Sequence, residues 1–249
     1  MPLLKNTEFV CLDCEMTGLD LERDRVIEIA VVRFTFSECI DSFESLVNPE
    51  KNVSVESMKI HHISDDMLKG QPKIAAILPT LLRFLGENPL IVGHNVGYDL
   101  DLLAKEAKRV GQEFVSKYSV VDTLRLAKDY GDSPNNSLEA LAMHFNIDRG
   151  SLHRAMRDVE INIEVFKHLC RRFRTLDQVL GILSKPIKMK YMPLGKHKGC
   201  VFSEIPMPYL LWASKMDFDA DLLYSIRNEI KLRNKGNTFN RSGNPFADL

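Results

Sequence analysis

Apolar residues along this chain come in short runs of two kinds. Phe9-Val10-Cys11-Leu12 leads into Asp13-Cys14-Glu15-Met16 and stops at Thr17-Gly18. A near-continuous apolar run closed by a turn residue predicts a buried strand. Val26 to Phe34 predicts a second, and Ile40 to Val47, closed by Asn48-Pro49, a third. Short turns join the three, so the sheet opens antiparallel. Residues 54–70 are mixed. The period then lengthens, with Ile74, Ile77, Leu78, Leu81, Leu82 and Leu85 marking a helix over 73–86 interrupted by Pro79. Leu90-Ile91-Val92 predicts a short strand, and Tyr98 to Arg109 a helix with Leu102, Leu103 and Ala107 inward. Val120-Val121 predicts another strand, followed by a helix from Thr123 that Asp122 caps. Asn136 or Ser137 caps a helix to Phe145. Arg154 to Phe173 predicts a long helix with Val159, Ile163, Phe166 and Cys170 as its core stripe. Strands alternating with helices after an antiparallel opening predict a mixed α/β sheet.

With 249 residues, 45% of them apolar and 27% charged, the chain can build a full core and is not disordered. Lys and Arg number 33 against 34 Asp and Glu, so any basic surface must be local. The N-terminus lacks a basic-then-apolar signal pattern, and no apolar run would span a bilayer, which predicts a cytoplasmic protein without a membrane partner. Five cysteines without framework spacing fit a reducing compartment. Cys11 and Cys14 form C-x-x-C, but on opposite faces of one strand, which reads as a pair of core thiols.

The same alternation puts Asp13 and Glu15 on one face of the first strand. Two neighbouring carboxylates in a core need something positive between them, and oxygen ligands favour magnesium or manganese. A half-exposed strand with two solvated acids is the competing reading. Asp99 opens the helix after His94-Asn95 and is equally explained by the helix dipole. His153 precedes, and Asp158 opens, the long helix; a surface histidine and a first-turn acid explain that pair as well.

Taken together, Asp13-x-Glu15, Asp99, and His153 with Asp158 resemble the DEDDh 3′-to-5′ exonucleases, the family of the proofreading epsilon subunit of DNA polymerase III. Val26-Ile27-Glu28-Ile29-Ala30, Ile60-His61-His62-Ile63, His94-Asn95-x-x-Tyr98-Asp99 and Asp122-Thr123-Leu124 resemble further family motifs over residues 8–173. Met16 stands where the proofreading enzymes carry Thr, and Glu15-Met-Thr-Gly-Leu19 is the oligoribonuclease form. The resemblance implies a ribonuclease-H-like mixed sheet flanked by helices. It implies that Asp13, Glu15, Asp99 and Asp158 hold two divalent ions, magnesium or manganese, with His153 as general base. It further implies that Met16, Thr17 and Leu19 lie along the terminal nucleotide, Leu19 as an apolar wedge, with His61 and Asn95 beside the substrate.

Lys185-Pro186 marks a boundary. Lys185, Lys188, Lys190, Lys196 and Lys198 follow with no acid among them up to residue 200. Leu194-Gly-Lys-His-Lys-Gly199, then Pro208-Tyr-Leu-Leu-Trp212 and a helix through Leu232, resemble the small C-terminal module of exodeoxyribonuclease X and related proteins. The expected division is 1–183 nuclease domain, 184–233 module and 234–249 flexible tail. The lysine turn could meet phosphates, or be a solvated loop. Tyr209 and Trp212 read as core anchors of the module. The function so implied is release of nucleoside monophosphates from nucleic-acid 3′ ends, DNA favoured over RNA, in repair or replication. Proofreading beside a DNA polymerase and 3′-end RNA trimming are the alternatives. A non-catalytic binder has no use for four converging acids. No oligomeric state is implied.

Overall fold

β1 (Phe9–Met16), β2 (Val26–Phe34) and β3 (Cys39–Leu46) pair antiparallel, while β4 (Leu90–Gly93) and β5 (Ser119–Asp122) add in parallel on the other side of β1. The sheet order is β3-β2-β1-β4-β5. The computed structural model describes residues 3–115, 117–133, 135–148 and 153–241, with 236–241 given as backbone. Its helices in chain order are α1 (Val55–His61), α2 (Asp65–Leu68), α3 (Ile74–Leu85), α4 (Gly97–Arg109), α5 (Thr123–Tyr130), α6 (Leu138–His144), α7 (Ala155–Cys170), α8 (Leu176–Leu183), α9 (Met207–Ala213) and α10 (Ala220–Arg241).

Alternation along β1 decides which helix lies on which face. Phe9 and Cys11 join Ala30, Val32 and Phe34 of β2 under α7, which contributes Val159 and Phe166. The Phe9 and Phe166 rings meet edge-on at 4.9 Å. Val10, Leu12 and Cys14 face the opposite way, into α3 and α4. The two thiols are therefore buried, unpaired and on opposite faces. Pro79 sits inside α3 and the helix continues through it.

The loop after β1 is tied to α4 by a buried acid. Glu106 accepts from Arg25 at both oxygens, Nε to Oε1 at 2.6 Å and Nη2 to Oε2 at 3.0 Å, and from Arg109 at 3.1 Å. Its side chain is 1% exposed. Glu106→Ala leaves two guanidiniums facing one void, so thermal or urea unfolding should report a loss of about 3–5 kcal/mol. A loss under about 1 kcal/mol would reduce the network to an ordinary surface pair.

The chain departs from its sequence pattern at its later helices. The helix expected over 154–173 ends at Cys170, and α8 follows as a separate element. Its start carries the Thr175-x-x-Gln178 capping box, a signal present in the sequence but not used. The Pro208–Trp212 segment forms its own helix, α9, and the helix expected through Leu232 is α10, which starts where Asp219 Oδ1 accepts from the N–H groups of Asp221 and Leu222. Residues 234–241, expected as tail, are instead the end of α10; a helix already packed adds hydrogen bonds residue by residue even through polar sequence. Residues 242–249 lie outside the described residues.

Met189, Met192, Phe202, Ile205, Leu210, Ala213, Leu222 and Ile226 form a separate small core beyond α8. Trp212 is not part of it. The residue is 51% exposed, so it is not the anchor the pattern predicted. At α9, Leu210 and Ala213 turn inward and carry Trp212 to the outside. Asp221 joins this core to α5: it accepts from Nε and Nη2 of Arg125 at 3.0 Å each and from the Ile187 N–H at 3.0 Å. Burial works to raise its carboxyl, but these bonds outweigh burial and hold it below the usual carboxylate range.

Candidate active site at the carboxyl ends of the central strands

The face of β1 that is apolar at Phe9 and Cys11 turns acidic at Asp13 and Glu15. The apolar half supports the later turns of α7, and the acidic half meets its first turn, where Asp158 projects. Single carboxylate oxygens of Asp13, Glu15 and Asp158 lie within 4.8 Å of one another. Asp99 arrives from β4. That strand pairs with β1 only at Val10 and Cys11, so the N–H of Cys14 is left without a strand partner on that side. Asp99 Oδ1 accepts from it at 3.1 Å, which holds the acid against Asp13. Gly93 permits this turn, since a Cβ there would come within 2.3 Å of the Val96 side chain. The acids thus sit outside the carboxyl ends of β1 and β4, where the sheet changes from antiparallel to parallel and where open α/β sheets place ligands.

The four acids are poorly matched to one another. Burial raises Asp13 well above the usual carboxylate range, helped by Asp99, Glu15 and Asp158. Glu15 is pushed up to about 8, first by burial and then by Asp158, Glu28 and Asp99. Asp99 is pushed up to about 7 by burial, against the pull of the N–H groups it accepts from. Asp158 is raised by burial too, although the charge and backbone N–H of His153 oppose it. An oxygen-only donor set with mutual repulsion suits a hard divalent cation. The acids also make the metal-free chain pH-sensitive. Folded values near 7 for Asp99 and 8 for Glu15 exceed the unfolded values of 3.8 and 4.5, so stability is lost as pH rises through that window. Asp13→Asn should therefore raise the metal-free melting temperature more at pH 8 than at pH 5, by about 2–4 °C per kcal/mol relieved. Melting curves in EDTA check this, and equal gains at both pH values would mean that the acids do not repel.

Glu28 stands opposite Glu15 in the antiparallel register of β1 and β2. It is 4% exposed, and Arg154 neutralises it, with Nη2 to Oε1 at 2.6 Å and Nε to both oxygens at 3.1 and 3.2 Å. Glu28 Oε2 also accepts from the Ala155 N–H at 2.9 Å, a cap from outside for the first turn of α7. One pair therefore fixes the start of the helix that carries Asp158. His153 lies just before it, exposed and at φ +64°, an uncommon conformation for a side chain of this size. Its own N–H is committed to Asp158.

The expected substrate residues divide. Leu19 is 82% exposed at the rim, and Tyr98 donates to its carbonyl. Met16 is half-buried. Thr17 is buried instead: its hydroxyl donates to Asp24 Oδ1 at 2.8 Å and accepts from the Arg25 N–H at 3.1 Å, so it shapes the loop and has no free group for a nucleotide. His61 is 2% exposed, with Nδ1 accepting from the Ile63 N–H at 3.0 Å and Nε2 without a hydrogen-bond partner among the described residues. Burial lowers its pKa, and the nearby Met16 carbonyl and Glu28 charge partly restore it. Asn95 is exposed at φ +63°, and its N–H donates to Asp122 Oδ1 at 3.1 Å. Asp122 caps α5 through the Leu124 N–H at 2.9 Å. Thr123, buried, has Asn162 Oδ1 at 2.6 Å and His94 Nδ1 at 3.0 Å from its hydroxyl, so this motif supports α7 from below.

The family model described as exonuclease, RNase_T, matches residues 10–166, the sheet and all four acids. The chain belongs to this exonuclease family. The resemblance drawn from the motifs is borne out, and so is the ribonuclease-H-like mixed sheet. Among curated proteins, the exonuclease region is similar to the PolC-type DNA polymerase III of Clostridium perfringens, 32% identical over 186 residues, and to that of Bacillus subtilis, 32% over 159 residues. These cover 74% and 64% of this chain but 12% and 11% of the relatives, so the chain spans about an eighth of their length. The fold is that of a structure described as "Exonuclease X in complex with 5′ overhanging duplex DNA", with TM-score 0.57, 22% identity, 70% of this chain and 98% of that one. It is also that of an Exonuclease I from Methylocaldum szegediense, with TM-score 0.59, 20% identity, and 73% and 43% covered. A second family model, described as "Putative quorum-sensing-regulated virulence factor", matches residues 182–231.

Two features of this exonuclease site were not read from the sequence. Glu28 was seen only as part of a strand motif, yet it anchors α7 across 126 residues. Asn162 lies inside a helix stripe and gave no signal. The acids themselves carried local signals, namely period two in β1 and first-turn positions in α4 and α7.

Proposed function

We propose that this chain is a divalent-metal-dependent 3′-to-5′ exonuclease that releases nucleoside monophosphates from nucleic-acid 3′ ends, DNA before RNA. The convergence of Asp13, Glu15 and Asp158, with Asp99 held against Asp13, carries the reading. These four would hold two ions, magnesium or manganese, which when bound supply an activated water and neutralise charge at the scissile phosphate. His153 takes the proton of the attacking water as general base. The residue is exposed, and its N–H keeps Asp158 in place. Leu19, exposed beside Tyr98, wedges under the terminal base, Met16 lines its floor with the buried His61 behind it, and Asn95 flanks the strand. Residues 1–183 form the nuclease domain, and 184–233 a module with its own core. The unpaired cysteines fit a reducing, cytoplasmic setting.

Digestion of single-stranded DNA, duplex DNA and RNA, labelled at the 3′ or 5′ end, with magnesium or manganese, tests this reading. A 3′ label should leave at once as mononucleotide, and a 5′ label should remain on ever shorter strands. Release from the 5′ end first, or no digestion with either metal, would overturn it. The polymerase relatives favour a second reading, in which the chain proofreads beside a DNA polymerase. That reading requires a stable complex on gel filtration and faster removal of a mispaired 3′ nucleotide than of a paired one.

A further inference from the structure

The surface of the C-terminal module carries an exposed ring and cations that neither its core nor the acidic site uses, beside a tyrosine that packs on that core. Trp212, the chain's single tryptophan, is 51% exposed, with Leu211 beside it at 47%. Tyr209 lies three residues earlier on α9, its ring 5.3 Å from that of Trp212 and 4.5 Å from that of His197. The Gly195–Gly199 turn is moulded onto this cluster: Gly195 has φ +72°, and a Cβ there would come within 2.7 Å of the Tyr209 hydroxyl. That turn presents Lys196 and Lys198, and Lys215 lies three residues past Trp212. All three are exposed and have no ion-pair partner among the described residues. A groove of about 880 Å³ runs from Asn95 and Asp122, beside the helix that carries Asp99, to Leu194, Lys198 and Gly199.

We infer that Trp212 and the half-buried Tyr209 beside it, with Lys196, Lys198 and Lys215, form a stacking platform for single-stranded nucleic acid at the end of this groove where Lys198 lies. An exposed indole, backed by a tyrosine that packs on the module's core and set near unpaired cations, suits a strand, whose bases have apolar faces and whose phosphates need charge. A protein-docking face would be depleted of lysine. The inference rests on the exonuclease reading for the direction of the strand, and binding can be measured apart from hydrolysis.

The full chain in EDTA is titrated with long oligo(dT) and oligo(U), reading its own tryptophan emission, and the tryptophan-free variants are compared with the parent by anisotropy of the same strands carrying an end label. Stacking should quench that emission, and the two polymers compare DNA with RNA. Trp212→Ala should weaken strand affinity by about 5- to 150-fold, the range for losing one stacked base, while Trp212→Phe keeps most of it. Lys196→Gln with Lys198→Gln should make the log–log salt dependence shallower by up to about 1.4, from two phosphates on a single strand. Parent emission that the strand leaves unquenched, together with unchanged affinity of Trp212→Ala for an end-labelled strand by anisotropy, would overturn the platform and leave α9 as a face for a protein. A chain that binds and is quenched, yet digests no end once magnesium or manganese is added, would refute the exonuclease reading and leave the platform standing.

Discussion

Asp13→Asn should abolish hydrolysis of a labelled 3′ end, by about 10³-fold or more, in a chain that folds at least as well as the parent. Asp13 is the acid that Glu15, Asp99 and Asp158 all act on, so it sits where the four charges meet. Neutralising it removes a hard oxygen ligand and several kcal/mol of charge stabilisation, and each ~1.4 kcal/mol is a factor of ten in rate. The same change relieves repulsion in the metal-free chain, so function and stability should move in opposite directions. A purely structural acid would lose both. Asp99→Asn makes a sharper companion, because its amide oxygen can still accept from the Cys14 N–H and keep the turn after β4. Its loss of rate should therefore come with intact folding. Digestion of a 5′-labelled strand and calorimetric titration with magnesium measure the two sides. Parental turnover in Asp13→Asn would remove this residue from the chemistry and with it the metal site as drawn.

What the sequence revealed and what it hid follow one physical rule. The strands, the first-turn acids and the caps are set by neighbours a few residues apart, so period and residue type expose them. Asp13 and Glu15 share a face because of backbone geometry alone. Asp122 and Ser137 act as the caps their residue types predict. Glu28 could not be read this way. Its partner Arg154 is 126 residues away, and only the pairing of β1 with β2 and the seating of α7 on both bring them together. Glu106 and Arg25 are separated by 81 residues and were missed for the same reason. Trp212 was misplaced because an apolar residue in a helix shows a period but not which side is already filled. Leu210 and Ala213 had filled it.

His153→Ala should slow turnover by about 10² to 10⁴-fold with metal affinity nearly unchanged. The substitution removes the imidazole but not the backbone N–H that Asp158 accepts from, so the acid keeps its position. The loss should fall on kcat at saturating metal and strand. Arg154→Ala is the necessary contrast. It leaves Glu28, whose side chain is 5% exposed, buried without its cation, and it loosens the start of α7. That should destabilise the fold by about 3 kcal/mol, the low end for a broken buried pair because Arg154 itself is 44% exposed. It should also weaken metal binding, since Asp158 moves with the helix. Glu28→Gln should cost less stability than Arg154→Ala, because the freed guanidinium can reach water whereas the freed carboxylate cannot. Two neighbouring residues are thereby given different signatures, rate without stability for His153 and stability with metal affinity for Arg154. Steady-state kinetics, calorimetric metal titration and melting curves on the three variants separate them. His153→Ala with parental turnover at saturating metal would leave the proton of the attacking water to another group and reduce His153 to a hinge before α7.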